Sequence, residues 1–331
     1  MVLFLSEEDV AGLLTMKEAI EVVEYVFREK GEGKVQMPSK TYVSLERYKG
    51  DFRVMPAYLY EMDVAGVKVV NVHPENPDIS GLPAVMATII LLDPRNGSPL
   101  SIMGGARITS FRTGAAGGVA AKYLARRDSS TIGVVGAGVQ ARTQLWALNE
   151  VLDKIEEVRV TSKRRRSMER FAKEMEERVH ARILPVDTVE RTVKGADVVI
   201  TVTPVRSPIV RDEWIGAGTH INAIGADAPG KQELSPELLK RAKIVVDDWE
   251  QASGSGEINV PLRSGIISED DVYGELGDIV CGRKAGRVSD EEITIFDSTG
   301  LAIQDVATAW MVFKKAKRSG SGRSIELFRQ T

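Results

Sequence analysis

TIGVVGAGVQA, residues 131–141, is the stretch from which the rest of the chain can be read. Thr131, Ile132, Val134 and Val135 are β-branched, the composition of a strand buried on both faces of a parallel sheet. The strand runs into Gly136-Ala137-Gly138-Val139-Gln140-Ala141, which fits G-x-G-x-x-G/A, and a helical stretch from Gln140 to Val151 follows. Each small residue has a mechanical reason. Gly136 allows a tight turn, Gly138 lets backbone approach a pyrophosphate, and Ala141 lets the helix pack on the strand. The helix N-terminus offers N–H groups and partial positive charge to the phosphates. On its own such a motif is often only a turn. Here strand, motif, helix and a second strand (Glu157 to Ser162) fill one βαβ unit of about 30 residues, which predicts a dinucleotide site.

Downstream, strands and helices alternate: Arg165 to Arg178, Val198 to Thr203, His220 to Ile224, Pro236 to Arg241 and Ile244 to Asp247, with Ile293 to Phe296 as the last strand. That pattern is a doubly wound α/β domain. Upstream the reading differs. Ser6, with Asp9 three residues on, caps a short helix, and Lys17 to Gly31 forms a second helix with Ile20, Val23, Val26 and Phe27 on one face. Strands follow at Thr41 to Leu45, Phe52 to Leu59, Val64 to Val72, Ala84 to Leu92 and Leu100 to Met103. Pro94 to Gly97 reads as a hairpin turn with Asn96-Gly97 suited to positive φ. The first hundred residues thus predict a meandering sheet with two helices. Thr109 to Ala125 reads as a helix whose glycines predict a close neighbour, since they cost helix propensity. Ile303 to Lys317 is an amphipathic helix able to return to the first domain, and Arg318 to Arg323 reads as a polar tail. The expected fold class is α/β, a Rossmann-type doubly wound sheet plus a mixed α+β domain. The expected boundaries are 1–112 with 304–331 for the mixed domain and 113–303 for the dinucleotide domain.

The 331 residues suffice for two domains, and 43% hydrophobic with 27% charged residues is ordinary globular composition. A net charge of −3 gives no reason to expect nucleic acid or an anionic membrane as partner. No apolar run approaches the roughly 20 residues that span a bilayer, and the N-terminus lacks a basic stretch followed by an apolar one. The single cysteine, Cys281, rules out an internal disulfide and suits a reducing cytoplasm, where its expected role is packing. His73, His180 and His220 are scattered, so no metal constellation is expected. His73 is a candidate relay, with a structural role as the simpler reading.

A dinucleotide unit that prefers NAD usually ends its second strand with Asp or Glu, which bonds the ribose 2′-OH. Here the strand ends Val160-Thr161-Ser162-Lys163-Arg164-Arg165-Arg166. A hydroxyl followed by four cations suits a 2′-phosphate, so NADP is favoured over NAD; a solvated basic helix start is the competing reading. Arg53 and Lys68 each lie in a strand-like apolar run, where alternation alone allows them to face solvent. Asp227 sits in a Gly-rich loop after a strand, where open α/β sheets bind ligands, and is a candidate general base or a turn-forming residue.

The chain resembles the ornithine cyclodeaminase/mu-crystallin family, most closely its archaeal-type alanine dehydrogenase branch. The resemblance rests on FRVMPA (52–57), GVKVVNVHPENP (66–77), SFRTGAAGGVAAKYLA (110–125), GAGVQA (136–141), THINAIGADAPGKQEL (219–234), VVDDWEQA (245–252), GEIN (256–259) and ITIFDSTGLAIQDVA (293–307), in order along nearly the whole chain. It implies that Arg53, Lys68 and Arg112 surround a substrate carboxylate, with Lys68 also near the reacting centre and Asp227 the acid/base. Joined to the strand-end residues Ser162, Lys163, Arg164 and Arg165 read above, it implies a cofactor site that includes Arg112, Thr113, Gly136, Ala137, Gly138, Val139, Gln140, Thr203, Lys231 and Ser298. Glu257, Asn259 and Asp297 are candidates for supporting roles. The resemblance also implies reversible oxidative deamination of a small amino acid to a 2-oxo acid, and a homodimer formed through the sheet of residues 1–112. Ornithine cyclodeamination and reduction of a ketimine or pyrroline-2-carboxylate are the alternatives. The resemblance sets Asp227 against the reductase branch and the basic strand end in its favour.

Overall fold

The computed structural model describes residues 1–328; the last three residues of the expected 304–331 segment lie outside the described residues. The chain divides into two compact units, residues 1–112 with 301–331 and residues 113–300. In chain order it opens with β1 (Val2–Leu5), α1 (Glu7–Leu13), α2 (Met16–Gly31), β2 (Val35–Gln36), β3 (Thr41–Leu45), β4 (Gly50–Leu59), β5 (Val64–Val72), α3 (Asn76–Ile79), β6 (Val85–Leu92), β7 (Pro99–Gly104) and α4 (Ala106–Leu124). The middle holds β8 (Thr131–Val135), α5 (Val139–Val151), β9 (Glu157–Thr161), α6 (Arg165–Val179), β10 (Arg182–Pro185), α7 (Val189–Val193), β11 (Val198–Thr201), β12 (His220–Ala223), α8 (Pro236–Arg241), β13 (Lys243–Val246), α9 (Trp249–Ser255), α10 (Asn259–Arg263), β14 (Val272–Glu275), α11 (Leu276–Val280) and β15 (Thr294–Asp297). The chain closes with α12 (Ala302–Ser319) and β16 (Arg323–Ile325). No helix among the described residues is long and apolar enough to cross a membrane.

The first unit is one sheet in the order β16-β1-β7-β6-β5-β4-β2, with β3 also paired to β4. Its centre is the expected antiparallel meander, but three strands escaped the sequence reading. β1 joins the edge parallel to β7, β2 pairs antiparallel with β4, and β16, which starts at the last residue of the stretch read as a polar tail, pairs antiparallel with β1. β2 and β16, of two and three residues, leave too short a pattern to read. The β6–β7 turn also differs: only Gly97 takes positive φ, at 73°, while the Asn96 side chain accepts from the Ser98 N–H. Alternation along β4 and β5 buries Arg53, Met55, Ala57 and Leu59, and Val64, Gly66, Lys68 and Val70. α12 covers that face: a Cβ on Gly66 would lie 3.1 Å from Val306 Cγ2. α2, capped by the Thr15–Glu18 box, packs its apolar stripe of Val23, Val26 and Phe27 on α12, and Lys315 of α12 reaches back to Glu18.

The second unit is an all-parallel sheet in the order β10-β9-β8-β11-β12-β15-β13-β14. β11, β12 and β15 are buried at every residue, as strands covered on both faces must be. The winding reverses at β8, which has β9 on one side and β11 on the other. Such a switch point opens a crevice at the carboxyl ends of the strands, and the glycine-rich loop leaves β8 there. The glycines of α4 have the close neighbours predicted for them. A Cβ on Gly114 would sit 2.5 Å from the Thr143 carbonyl oxygen, and one on Gly117 1.9 Å from Gln144 Oε1.

Candidate functional site

Two groups of polar residues stand out, one in each unit. In the first unit, Lys68 is fully buried on the face beneath α12. Its neighbour opposite on β4 is Met55, which places Arg53 one diagonal step away on the same face. Asp305 of α12, also fully buried, lies between two cations: 2.7 Å from Lys68 Nζ and 2.9 Å from Arg112 Nε. Gln304 accepts from Arg112 Nη1 at 3.1 Å, while its own buried Nε2 finds no acceptor among the described residues. Arg53 is buried, bonded to Asp51 at 2.9 Å and placed 5.0 Å from the Tyr42 ring centroid. Burial lowers the Lys68 pKa to about 7, the Arg112 charge adds to the effect, and Asp305 opposes it. A lysine so tuned exchanges protons near neutrality.

Asp305 escaped the sequence reading. The signal was present: Ala302, Ile303, Val306 and Ala309 define the buried stripe of α12, and Gln304, Asp305 and Thr308 are buried with them. Carboxylates are seldom placed in such a stripe without a partner.

In the second unit a cavity of about 580 Å³ lies along the glycine-rich loop. Gly136, Ala137, Gly138, Ser162, Lys163, Arg164 and Thr203 line it, joined by Ser167, Arg170 and Asp187, which the sequence reading did not single out. Gly136 has φ of 115°, and a Cβ there would meet Val202 at 2.9 Å. Around Gly138 nothing lies within 4 Å of a Cβ, leaving the close backbone approach that a diphosphate needs. Other expected cofactor residues fall elsewhere. Val139 is exposed and Gln140 accepts from Thr143 within the first turn of α5. Arg165 points to Glu169 one turn along α6. Ser298 is buried against Asp247, and Thr113 gives its carbonyl to Gln144.

Asp227 follows β12 and is ion-paired with Lys231. Its loop is held from behind. Asn259 accepts from the Gly230 N–H at 3.0 Å and donates to the Lys231 carbonyl at 2.9 Å. Fully buried Glu233 accepts from the N–H and hydroxyl of Thr203 and from the Gly225 N–H, so one carboxyl group ties the cavity wall to the start of the Asp227 loop. Glu257 accepts from the Glu233 and Leu234 N–H groups, and Asp297 from that of Ile258. Burial raises the pKa of Glu233 to about 7 and that of Glu257 well above the carboxylate range. His73 lies outside these groups: its N–H donates to the Ala84 carbonyl and its ring packs over Gly50.

Similarity to known proteins runs along the whole chain. The profile of the ornithine cyclodeaminase/mu-crystallin family matches residues 2–320. An alanine dehydrogenase from Archaeoglobus fulgidus is 52% identical over 328 residues, 99% of either chain. An archaeal alanine dehydrogenase structure, described as a dimer with bound NAD, superposes with a TM-score of 0.94 at 51% identity over 99% of both chains. The pyrroline-2-carboxylate reductase of Thermococcus litoralis, solved with NADH and L-proline, gives 0.95 at 42% identity over 98% of this chain and 100% of that one. The chain belongs to the ornithine cyclodeaminase/mu-crystallin family.

Proposed function

We propose that this protein is a nicotinamide-dependent dehydrogenase that oxidatively deaminates a small L-amino acid, alanine foremost, to its 2-oxo acid and ammonia, and runs the reverse reaction. The observation that carries the reading is the buried Lys68–Asp305–Arg112 cluster. Three buried charges are a costly way to stabilise a sheet, since apolar packing of equal volume does as well or better. The excess positive charge, with Arg53 beside it and an unfilled donor on Gln304, fits a small anion such as an amino-acid carboxylate. Arg53, Lys68 and Arg112 are assigned to that carboxylate.

The residues at the β8 switch point fit a dinucleotide: open space at Gly138, a helix N-terminus, and Ser162, Lys163 and Arg164 on the cavity wall. When bound, the nicotinamide supplies hydride acceptance at the substrate's Cα. Asp227 is assigned the proton of the water that then attacks Cα, and Lys68, near half-protonated at neutral pH, assists proton movement. NADP(H) is the favoured cofactor, because Ser167 and Arg170 add a second hydroxyl and a further cation to that wall; the two relatives described above carry NAD and NADH. The likeness to an alanine dehydrogenase dimer supports a homodimer, with the open face of the first unit's sheet, where Val69 and its cross-strand neighbour Thr88 are exposed, as the contact. With Cys281 as a free thiol, the cytoplasm is the proposed location.

A second reading, reduction of a cyclic imine such as pyrroline-2-carboxylate, is favoured by the likeness to the Thermococcus litoralis enzyme. Purified protein incubated with alanine, ornithine or pyrroline-2-carboxylate and either cofactor separates the cases. Alanine-dependent growth at 340 nm supports the dehydrogenase. Proline from ornithine without net absorbance change marks a cyclodeaminase, and turnover of the imine alone marks the reductase. In the dehydrogenase, Asp227→Asn keeps cofactor affinity and loses most turnover; near-normal kcat would remove Asp227 from the reaction.

A further inference from the structure

A loop that binds a diphosphate must present its N–H groups outward, yet glycine has no intrinsic preference for that direction. In this chain a side chain one turn into α5 reaches back to that loop. Arg142 Nη1 donates to the carbonyl oxygens of Ala137 at 2.8 Å and Gly138 at 2.9 Å. The guanidinium is itself fixed: Nε donates to Glu174 of α6, and the group lies 5.4 Å from the Phe171 ring centroid. Peptide units are planar and trans, so a carbonyl and the N–H of the next residue point opposite ways. Drawing the Ala137 and Gly138 carbonyls toward Arg142 therefore turns the N–H groups of Gly138 and Val139 to the other side. Space is open there: a Cβ on Gly138 meets nothing within 4 Å, and Val139 is 64% exposed.

We propose that Arg142 is a positioning residue, a strut that holds the glycine-rich loop with two adjacent N–H groups aimed at the diphosphate of a bound dinucleotide. This rests on the reading that the chain binds a nicotinamide dinucleotide. The guanidinium lies behind the loop and is paired with Glu174, so its contribution is direction more than charge. Losing the strut weakens phosphate-bearing ligands and leaves the adenosine contacts alone.

The test compares ADP and adenosine as competitors of NADH or NADPH binding, followed by cofactor fluorescence, in wild type, R142M and R142K. R142M keeps an apolar stem on Phe171 and removes both carbonyl bonds. It is expected to weaken ADP and the dinucleotides about tenfold, the size of one lost charge-assisted hydrogen bond, to leave adenosine within about twofold, and to raise the cofactor KM with little change in kcat. R142K reaches one carbonyl and shows the same selectivity at smaller amplitude, about threefold for ADP; it decides the matter if R142M does not fold. Equal loss for ADP and adenosine, or none for either, overturns the strut while leaving the dinucleotide reading intact. Failure of wild type to bind either dinucleotide overturns both.

Discussion

Replacing Asp305 with Asn removes the carboxylate shared by Lys68 and Arg112 and keeps the side chain's shape. Breaking a buried ion pair from one side costs about 3–5 kcal/mol. Dividing that between two cations leaves Lys68 about 2 kcal/mol or somewhat more, equivalent to a fall of about 2 pKa units. From about 7 in the wild type, Lys68 then titrates near pH ~5. The sign follows from proton counting. An unfolded lysine holds its proton below pH ~10.5, whereas the buried one holds it only below its lowered pKa, so stability rises with pH between the two values. In the variant that window extends down to about pH 5, so its added cost through Lys68 vanishes above pH ~8 and grows to about 2 kcal/mol at pH ~5. The lost Arg112–Asp305 pair adds a loss that does not vary with pH. Urea titrations of wild type and D305N at pH 5, 7 and 9 measure the difference, and the kcat/KM profile for the amino acid should lose its limb near pH 7. A stability gap equal at pH 5 and pH 9, with the limb unmoved, would refute the assignment of Asp305 as the counter-ion that sets the Lys68 charge.

The buried carboxyl of Glu233, raised to about 7, makes the opposite slope. Folding then takes up a proton, and about 3 kcal/mol is lost as pH rises from ~4.5 through ~7. Glu233→Gln should flatten the melting temperature over that range, and an unchanged slope would assign the titration to another group. Gly117→Ala places a Cβ 1.9 Å from Gln144 Oε1 and 2.8 Å from Asn222 Nδ2. Overpacking and a disturbed amide pair outweigh the helix propensity gained, so a loss of about 2 kcal/mol is expected where an open helical site would gain about 1; thermal denaturation reads the sign. Lys163→Ala with Arg164→Ala should weaken NADPH about tenfold more than NADH in direct titrations, as loss of a charged phosphate contact implies. Equal losses would place NAD(H) and NADP(H) on the same footing.

The second unit was legible because its signals are local. A β-branched run, two glycines at fixed spacing and an amphipathic helix share one short segment. The identity of the sheet's edge strands was not, since β10 and β14 lack the continuous buried apolar run that marks equally short strands such as β11 and β15. Arg53 and Lys68 were visible as charges in apolar runs, yet only pairing showed that both occupy the buried face of their strands. Their partner Asp305 lies 237 residues beyond Lys68 in the chain, and no pattern within α12 names the strand it will meet. The basic run after β9 shows the same limit at shorter range. Lys163 and Arg164 turn to the cavity, whereas Arg165 begins α6 and takes Glu169 as its partner. One peptide step separates the two fates, and helix geometry decides between them.

The helix that covers Lys68 is synthesised after every strand of the second unit. A ribosome delivers β1 through β7 first, then the 188 contiguous residues of the second unit, 113–300, and only then α12. The second unit carries all its own strands and can fold while still attached. The first cannot: until α12 emerges, its apolar sheet face stays bare and Lys68 remains wet and fully charged. Acquiring Asp305 and losing water are then a single event, so the chemistry assigned to Lys68 waits on the docking of α12.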